Sequence, residues 1–194
     1  MSPRAAIAAA AIAALASGGA GCTGTETPND SDGDPPAYDV AFPPGFKPAS
    51  ETRVDALQKS VESGIDRVDG EVGEVVVEDL YVGFVDGSPV EIDVQTEDTA
   101  DGVDVARYDE LSRDALDSFP NLEISDSSDY VDFDGDESTV VDIGEGANGP
   151  TSRIATAIHG GFAYNVTLFG PTQVVTGPGD QALRTMIESW RWQG

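Results

Sequence analysis

Between Glu74 and Thr96 the chain reads EVVVEDLYVGFV, then DGS, then PVEIDVQT, and this stretch constrains the fold more than any other. Val90, Ile92 and Val94 alternate with Glu91, Asp93 and Gln95, a period of two that places all the apolar residues on one side of a strand. The Asp86-Gly87 pair between two β-rich runs signals a tight hairpin. The stretch therefore predicts two antiparallel strands in a sheet with one face buried and the other wet.

The rest of the chain supplies partners for that sheet. AYDVAFPPGFKP opens with a short strand pattern that ends at Pro43-Pro44. Behind Ser50, Val54, Leu57, Val61 and Val68 recur at helical spacing,. A second helix is capped by Asp104, carries Val105, Tyr108, Leu111, Ala115, Leu116 and Phe119 on one stripe, and stops at Pro120,. Two further hairpins are expected, one turning near Asp134-Gly135 and one at Gly160-Gly161,. A final capped helix puts Leu183, Met186, Ile187 and Trp190 on one face,. Strands and helices do not alternate regularly, so the pattern indicates an antiparallel sheet with helices laid on it, an α+β fold.

The N-terminus is of another kind. Arg4, an apolar run from Ala5 to Leu15 and the small residues Ser17 to Gly21 form the pattern of an export signal,. The run is about half the roughly 20 residues that a membrane-spanning helix needs. Ala20-Gly21-Cys22 looks like the end of a lipobox, with Gly19 where an aliphatic residue is usual. Cys22, the one cysteine of the chain, is then the lipidation site, and each buried methylene of its acyl chains adds roughly 0.8 kcal/mol of membrane affinity,. The alternative is ordinary secretory cleavage at Ala16 or Ala20. The division expected is a signal peptide over 1–21, an acidic tether rich in Thr, Pro and Gly over 22–37, and one domain over 38–194,. NDSDGD within the tether does not fit an EF-hand, because Pro28 would stand at the first ligand position,.

Charge narrows the partners. The chain carries 36 Asp and Glu against 10 Lys and Arg, a net charge of −26, and loss of Arg4 with the leader takes this to −27. Such a chain repels nucleic acid and bare anionic membrane. The partners expected are the membrane, through the lipid alone, and a protein of the envelope.

Candidate chemistry is sparse. The one histidine, His159, abuts the Gly160-Gly161 turn and has no cysteine, serine elbow or metal-spaced residue to complete a catalytic set, so no enzyme is expected,. A hydrolase using two carboxylates is an alternative that counting acids cannot test. DSSDYVDFDGDE holds Asp132, Asp134 and Asp136 in alternation, flanked by Asp126, Asp129 and Glu137. Hard oxygen ligands at a turn suit Ca²⁺, so an acidic calcium-binding module is the other alternative to a solvated hairpin. Asn165-Val166-Thr167 matches a glycosylation acceptor but sits in mid-strand,. Trp192 either covers a sheet edge or presents an anchor to a partner,.

The order of YDELSRDALDSFPNLEI, VDFDGDESTVVDIG, GGFAYNVTLFG and a last helix ending SWRW resembles the PsbP-like domain over the last 90 to 120 residues. That domain occurs also in a Ran-binding nuclear import factor and in small actinobacterial lipoproteins of the LpqN type. The resemblance implies an α/β/α sandwich around a central antiparallel sheet, an accessory or binding role, and no catalytic residues to carry over. Together with the leader, it points to a lipid-anchored protein on the extracytoplasmic face of the cell membrane.

Overall fold

The computed structural model describes residues 34–65, 74–99, 102–116, 122–144 and 149–193. The elements are β1 (Tyr38–Asp39), β2 (Lys47–Pro48), α1 (Glu51–Ile65), β3 (Val75–Val85), β4 (Ser88–Asp98), α2 (Val105–Leu116), β5 (Glu123–Ile124), β6 (Ser128–Asp129), β7 (Ser138–Gly144), β8 (Pro150–His159), β9 (Phe162–Pro171), α3 (Thr172–Val175), α4 (Pro178–Glu188) and β10 (Arg191–Trp192). An eight-stranded antiparallel sheet runs in the order β2-β3-β4-β9-β8-β7-β5, with β6 also on β7, and β1 pairs separately with β10.

The turns that close the hairpins lie where the sequence puts them. Asp86 and Gly87 both have positive φ, 48° and 77°, the geometry that lets a two-residue loop match the strand twist,. Gly160 and Gly161 do the same for β8 and β9. Asp134 and Gly135 turn between Phe133 and Asp136, which form an isolated bridge.

The front face of the sheet carries the main core. Val90, Ile92 and Val94 of β4, Tyr164, Val166 and Leu168 of β9, and Ala155 and Ala157 of β8 lie under Leu183, Met186 and Ile187 of α4 and under Trp190, all essentially inaccessible. Each valine, leucine, isoleucine or methionine among them contributes about 1.5–3 kcal/mol of burial. The final helix thus uses the predicted stripe, but its cap differs: Gly177 makes no side-chain cap bond and Pro178 opens the helix instead,. In the second helix the Asp104 carboxylate accepts from the Arg107 N–H at 2.8 Å, as expected. Val68, Phe119 and Pro120 lie outside the described residues.

Two helices cover the back face, which makes the molecule a three-layer sandwich. Leu57 and Val61 of α1 pack on Val75, Val77 and Leu80 of β3. Tyr108 and Leu116 of α2 pack on Val141, Ile143, Ile154 and Ala163. Between these clusters run β4 and β9, and here one expectation fails. Asp93 and Gln95, predicted to face water, are 5% and 1% exposed. The alternating residues do form a strand, but both of its faces are covered.

Candidate functional site

The predicted acidic turn is a latch, not a cage. Asp132 is exposed, while Phe133 between it and Asp134 is fully buried and turns the backbone into the core. The Asp134 carboxylate accepts from the Trp192 backbone N–H at 3.1 Å and faces the Arg191 guanidinium at 3.7 Å. Asp136 meets His159 Nδ1 at 2.7 Å. Asp132, Asp134 and Asp136 are therefore not brought together, and among the described residues no group of three or more His, Cys, Asp or Glu side chains is placed to hold a metal ion. The flanking Asp126, Asp129 and Glu137 are exposed.

Trp192 closes this latch. Its ring stacks on His159 at 4.0 Å with the planes 4° apart, and its indole N–H donates to the Phe133 carbonyl at 3.0 Å. It is partly buried and pairs with Tyr38 across β1 and β10, so it covers the end of the sheet. Cys22 lies outside the described residues.

A strap from Pro36 to Phe46 ties the entering chain to that same end. Tyr164 donates its hydroxyl to the Pro36 carbonyl at 2.5 Å, and the Tyr38 ring stacks on Trp190 at 4.3 Å. The Tyr38 hydroxyl donates to Asp79 at 2.7 Å, beside the irregularity that β3 carries between Val77 and Asp79. Burial and then the Asp79 carboxylate push the Tyr38 hydroxyl far above its usual range, so it stays a donor. These groups, with Asp34 and Glu78, border a recess of about 440 Å³. Farther along, Phe42 stacks on Tyr81 and Phe46 lies against Gly83, where a Cβ would meet its ring at 2.7 Å.

The opposite end of the sheet holds an open groove of about 580 Å³. Its walls come from the start of β4 (Ser88, Pro89, Glu91), the end of β9 with α3 (Phe169 to Val174), and Gly149-Pro150. Thr172 donates its hydroxyl to the Gly149 carbonyl at 2.9 Å and lies 2.7 Å from the Thr151 hydroxyl, which fixes one wall to the other. Glu91 is held by Arg53 of α1. Its volume lies in the range of small-ligand clefts, and its lining mixes three prolines, Phe169 and Val174 with Ser88, Glu91, Thr172 and Gln173,. Phe84, which pairs with Pro89 across the hairpin, is 70% exposed beside it.

Sequence reasoning missed this groove because its walls lie far apart in the chain, from Ser88 to Val174, and only strand register brings them together. The signal available was three prolines, Pro89, Pro150 and Pro171, each at the end of a strand.

Between the back-face helices lies a buried polar row. Gln95 donates to Asp93 at 2.6 Å, Tyr108 to Glu97 at 2.8 Å, Asn165 to the Tyr108 hydroxyl at 2.9 Å, and Thr156 to Asn165 at 2.7 Å. Asn165 is 2% exposed, so the glycosylation triplet is spent in the interior. Burial raises the Asp93 carboxyl to about 7, against bonds from Gln95 and Thr167 that lower it, with Glu91 adding to the rise,.

Comparison with solved structures gives this architecture a place. LpqN of Mycobacterium tuberculosis, involved in cell envelope biogenesis, superposes with a TM-score of 0.51 at 14% identity, over 84% of this chain and 88% of that one. The chain has the fold of LpqN. The Ran-binding protein Mog1p of Saccharomyces cerevisiae matches with a TM-score of 0.49 at 17% identity, over 80% of this chain and 89% of that one. Cyanobacterial PsbP (CyanoP) of Synechocystis sp. PCC 6803 matches at 0.48 and 11%, over 91% and 98%. No family model and no curated protein matches the sequence. At these identities the likeness is one of fold.

Proposed function

We propose that this chain is a lipid-anchored, extracytoplasmic binding or accessory protein of the cell envelope, with no catalysis of its own. The observation that carries the reading is the two-ended layout of the domain. The chain enters through Asp34 to Tyr38 beside the Gly160-Gly161 turn, while the groove opens at the far end of β9. Ten residues of strand separate the two by roughly 30 Å,. An anchor at one end and an open concavity at the other suit a domain that presents a binding surface away from its membrane. LpqN, whose fold this chain shares, is involved in cell envelope biogenesis, and the leader and Cys22 read from the sequence fit that compartment. The one histidine is engaged by Asp136 and Trp192, which favours a structural role for it.

The test is fractionation of cells fed a clickable fatty acid. Wild type is expected in the membrane fraction and labelled, and Cys22→Ser unlabelled and released. An unlabelled wild type, or a mutant that stays with the membrane, overturns the reading. No helix among the described residues is long and apolar enough to cross a membrane.

A further inference from the structure

We infer that the groove at the end of β4 and β9 receives an extended basic segment of a partner protein, in which Pro or aliphatic residues alternate with Lys or Arg. The inference rests on the binding role proposed above and names the chemistry of its partner.

Charge points to the sign of the occupant. The one charged side chain in the groove lining is Glu91, paired with the Arg53 guanidinium at its edge, and the field around it is that of a chain of net charge −26. An anionic ligand would enter against that field, whereas a cationic one is drawn in by it. Glu91 also shows what it accepts, because a guanidinium, that of Arg53, already sits on it. An arriving Arg or Lys would share or take over that carboxylate.

The shape of the walls points to an extended chain. Pro89, Pro150 and Pro171 fix their own φ and have no N–H, so these strand ends cannot add another strand by a hydrogen-bond ladder. Pro150 and Pro171 pair with each other across β8 and β9, and the three rings line the groove as rigid apolar surfaces that need no ordering on binding,. A polyproline-type segment has no internal hydrogen bonds and docks on surfaces of this kind through its rings and aliphatic side chains. Phe169 lies in the wall and Phe84 extends the same surface. Of the described residues only Phe84 and Val76 are large exposed hydrophobics, and Phe84 stands beside the groove,.

The experiment uses full-length Cys22→Ser protein, ¹⁵N-labelled, titrated with a synthetic peptide of repeating Pro-Leu-Lys units. Controls are the same peptide with Glu for Lys and a neutral trisaccharide. The amides of Ser88, Glu91, Phe169 and Gln173 are expected to shift with the Lys peptide alone. Affinity should fall about tenfold between low salt and about 0.3 M. Phe84→Ser should weaken binding about five- to tenfold with the melting temperature unchanged. Shifts scattered over the acidic surface, affinity indifferent to Phe84→Ser, or groove binding by the Glu peptide or the trisaccharide would each overturn the inference. None of these outcomes depends on acylation of Cys22, so this proposal and the anchoring fail separately.

Discussion

Asp93 sits fully buried between Glu91 and Gln95, with no cation among the causes that set its acidity. Its carboxyl is held up to about 7, so the folded state binds the proton more tightly than the unfolded chain does. From about pH 4 to about pH 7 the unfolded chain has already lost that proton while the folded one keeps it. Stability from this residue therefore falls as pH rises through that window and levels off above it, a change on the order of 2–4 kcal/mol. Asp93→Asn should remove the slope and melt higher than wild type at pH 8; a lower melt there would show that the ionised carboxylate is held by a partner. The latch makes a second residue-scale prediction. Trp192→Ala removes the His159 stack and the bond to Phe133, and should cost about 2–3 kcal/mol in chemical denaturation,. Millimolar calcium should leave the melting temperature of wild type unchanged, because Asp134 and Asp136 are spent on Arg191, Trp192 and His159,.

At the scale of elements, the stability of the edges depends on single side chains. Strand β3 is flanked by β2 only at Tyr81 and Val82. Beyond that, the Gln58 amide stands in for a neighbouring strand: its Nε2 donates to the Val75 carbonyl at 2.9 Å and its Oε1 accepts from the Val77 N–H at 2.9 Å. Gln58→Leu should lower stability by about 1–2 kcal/mol and raise the rate of aggregation seen by light scattering, since it uncovers a strand edge. On the other side, Arg153 of β8 makes two 2.7 Å bonds to Asp142 of β7 and one of 2.6 Å to Asp180 of α4. Burial pushes the Asp180 carboxyl up, but Tyr130, Arg184 and Arg153 outweigh it and hold it below its usual range. Its contribution is present above about pH 4 and lost as pH falls through the lowered value. Asp180→Asn should flatten the acid limb of the stability profile.

The elements themselves were legible where a local signal existed. Asp86-Gly87 and Gly160-Gly161 gave the hairpins, and the stripe of Leu183, Met186 and Ile187 gave the last helix. The short strand pattern at AYDV marked β1, but the two-residue strands β2, β5 and β10 were beyond reach, because nothing in so short a run distinguishes a strand from a loop,. The polarity of the back face misled for a related reason. Glu91, Asp93 and Gln95 alternate with valine and isoleucine in the same way whether their side meets water or the space between two helices,.

Across the whole molecule, Asp180 and Asp93 work against each other, so the first should make stability rise with pH at the acid end of the profile and the second should make it fall toward neutrality,. The net charge of −26 adds a second dependence. Self-repulsion is screened within about 10 Å at 0.1 M salt, so the melting temperature at pH 7 should climb as sodium chloride is added and then flatten. A flat salt response would mean that the acids are locally compensated. The groove is a property at this scale as well: Glu91, Pro150 and Phe169 share it only because β4, β9 and β8 lie side by side in a set register.

The pairing of β1 with β10 brings Tyr38 opposite Trp192, so the first and last described strands are neighbours. Entry and exit of the chain form a single seam in the surface. A short loop could close that seam and fresh ends could be opened at Asp86-Gly87, giving a circular permutant in which the order of every element changes and no strand of the large sheet changes its neighbour.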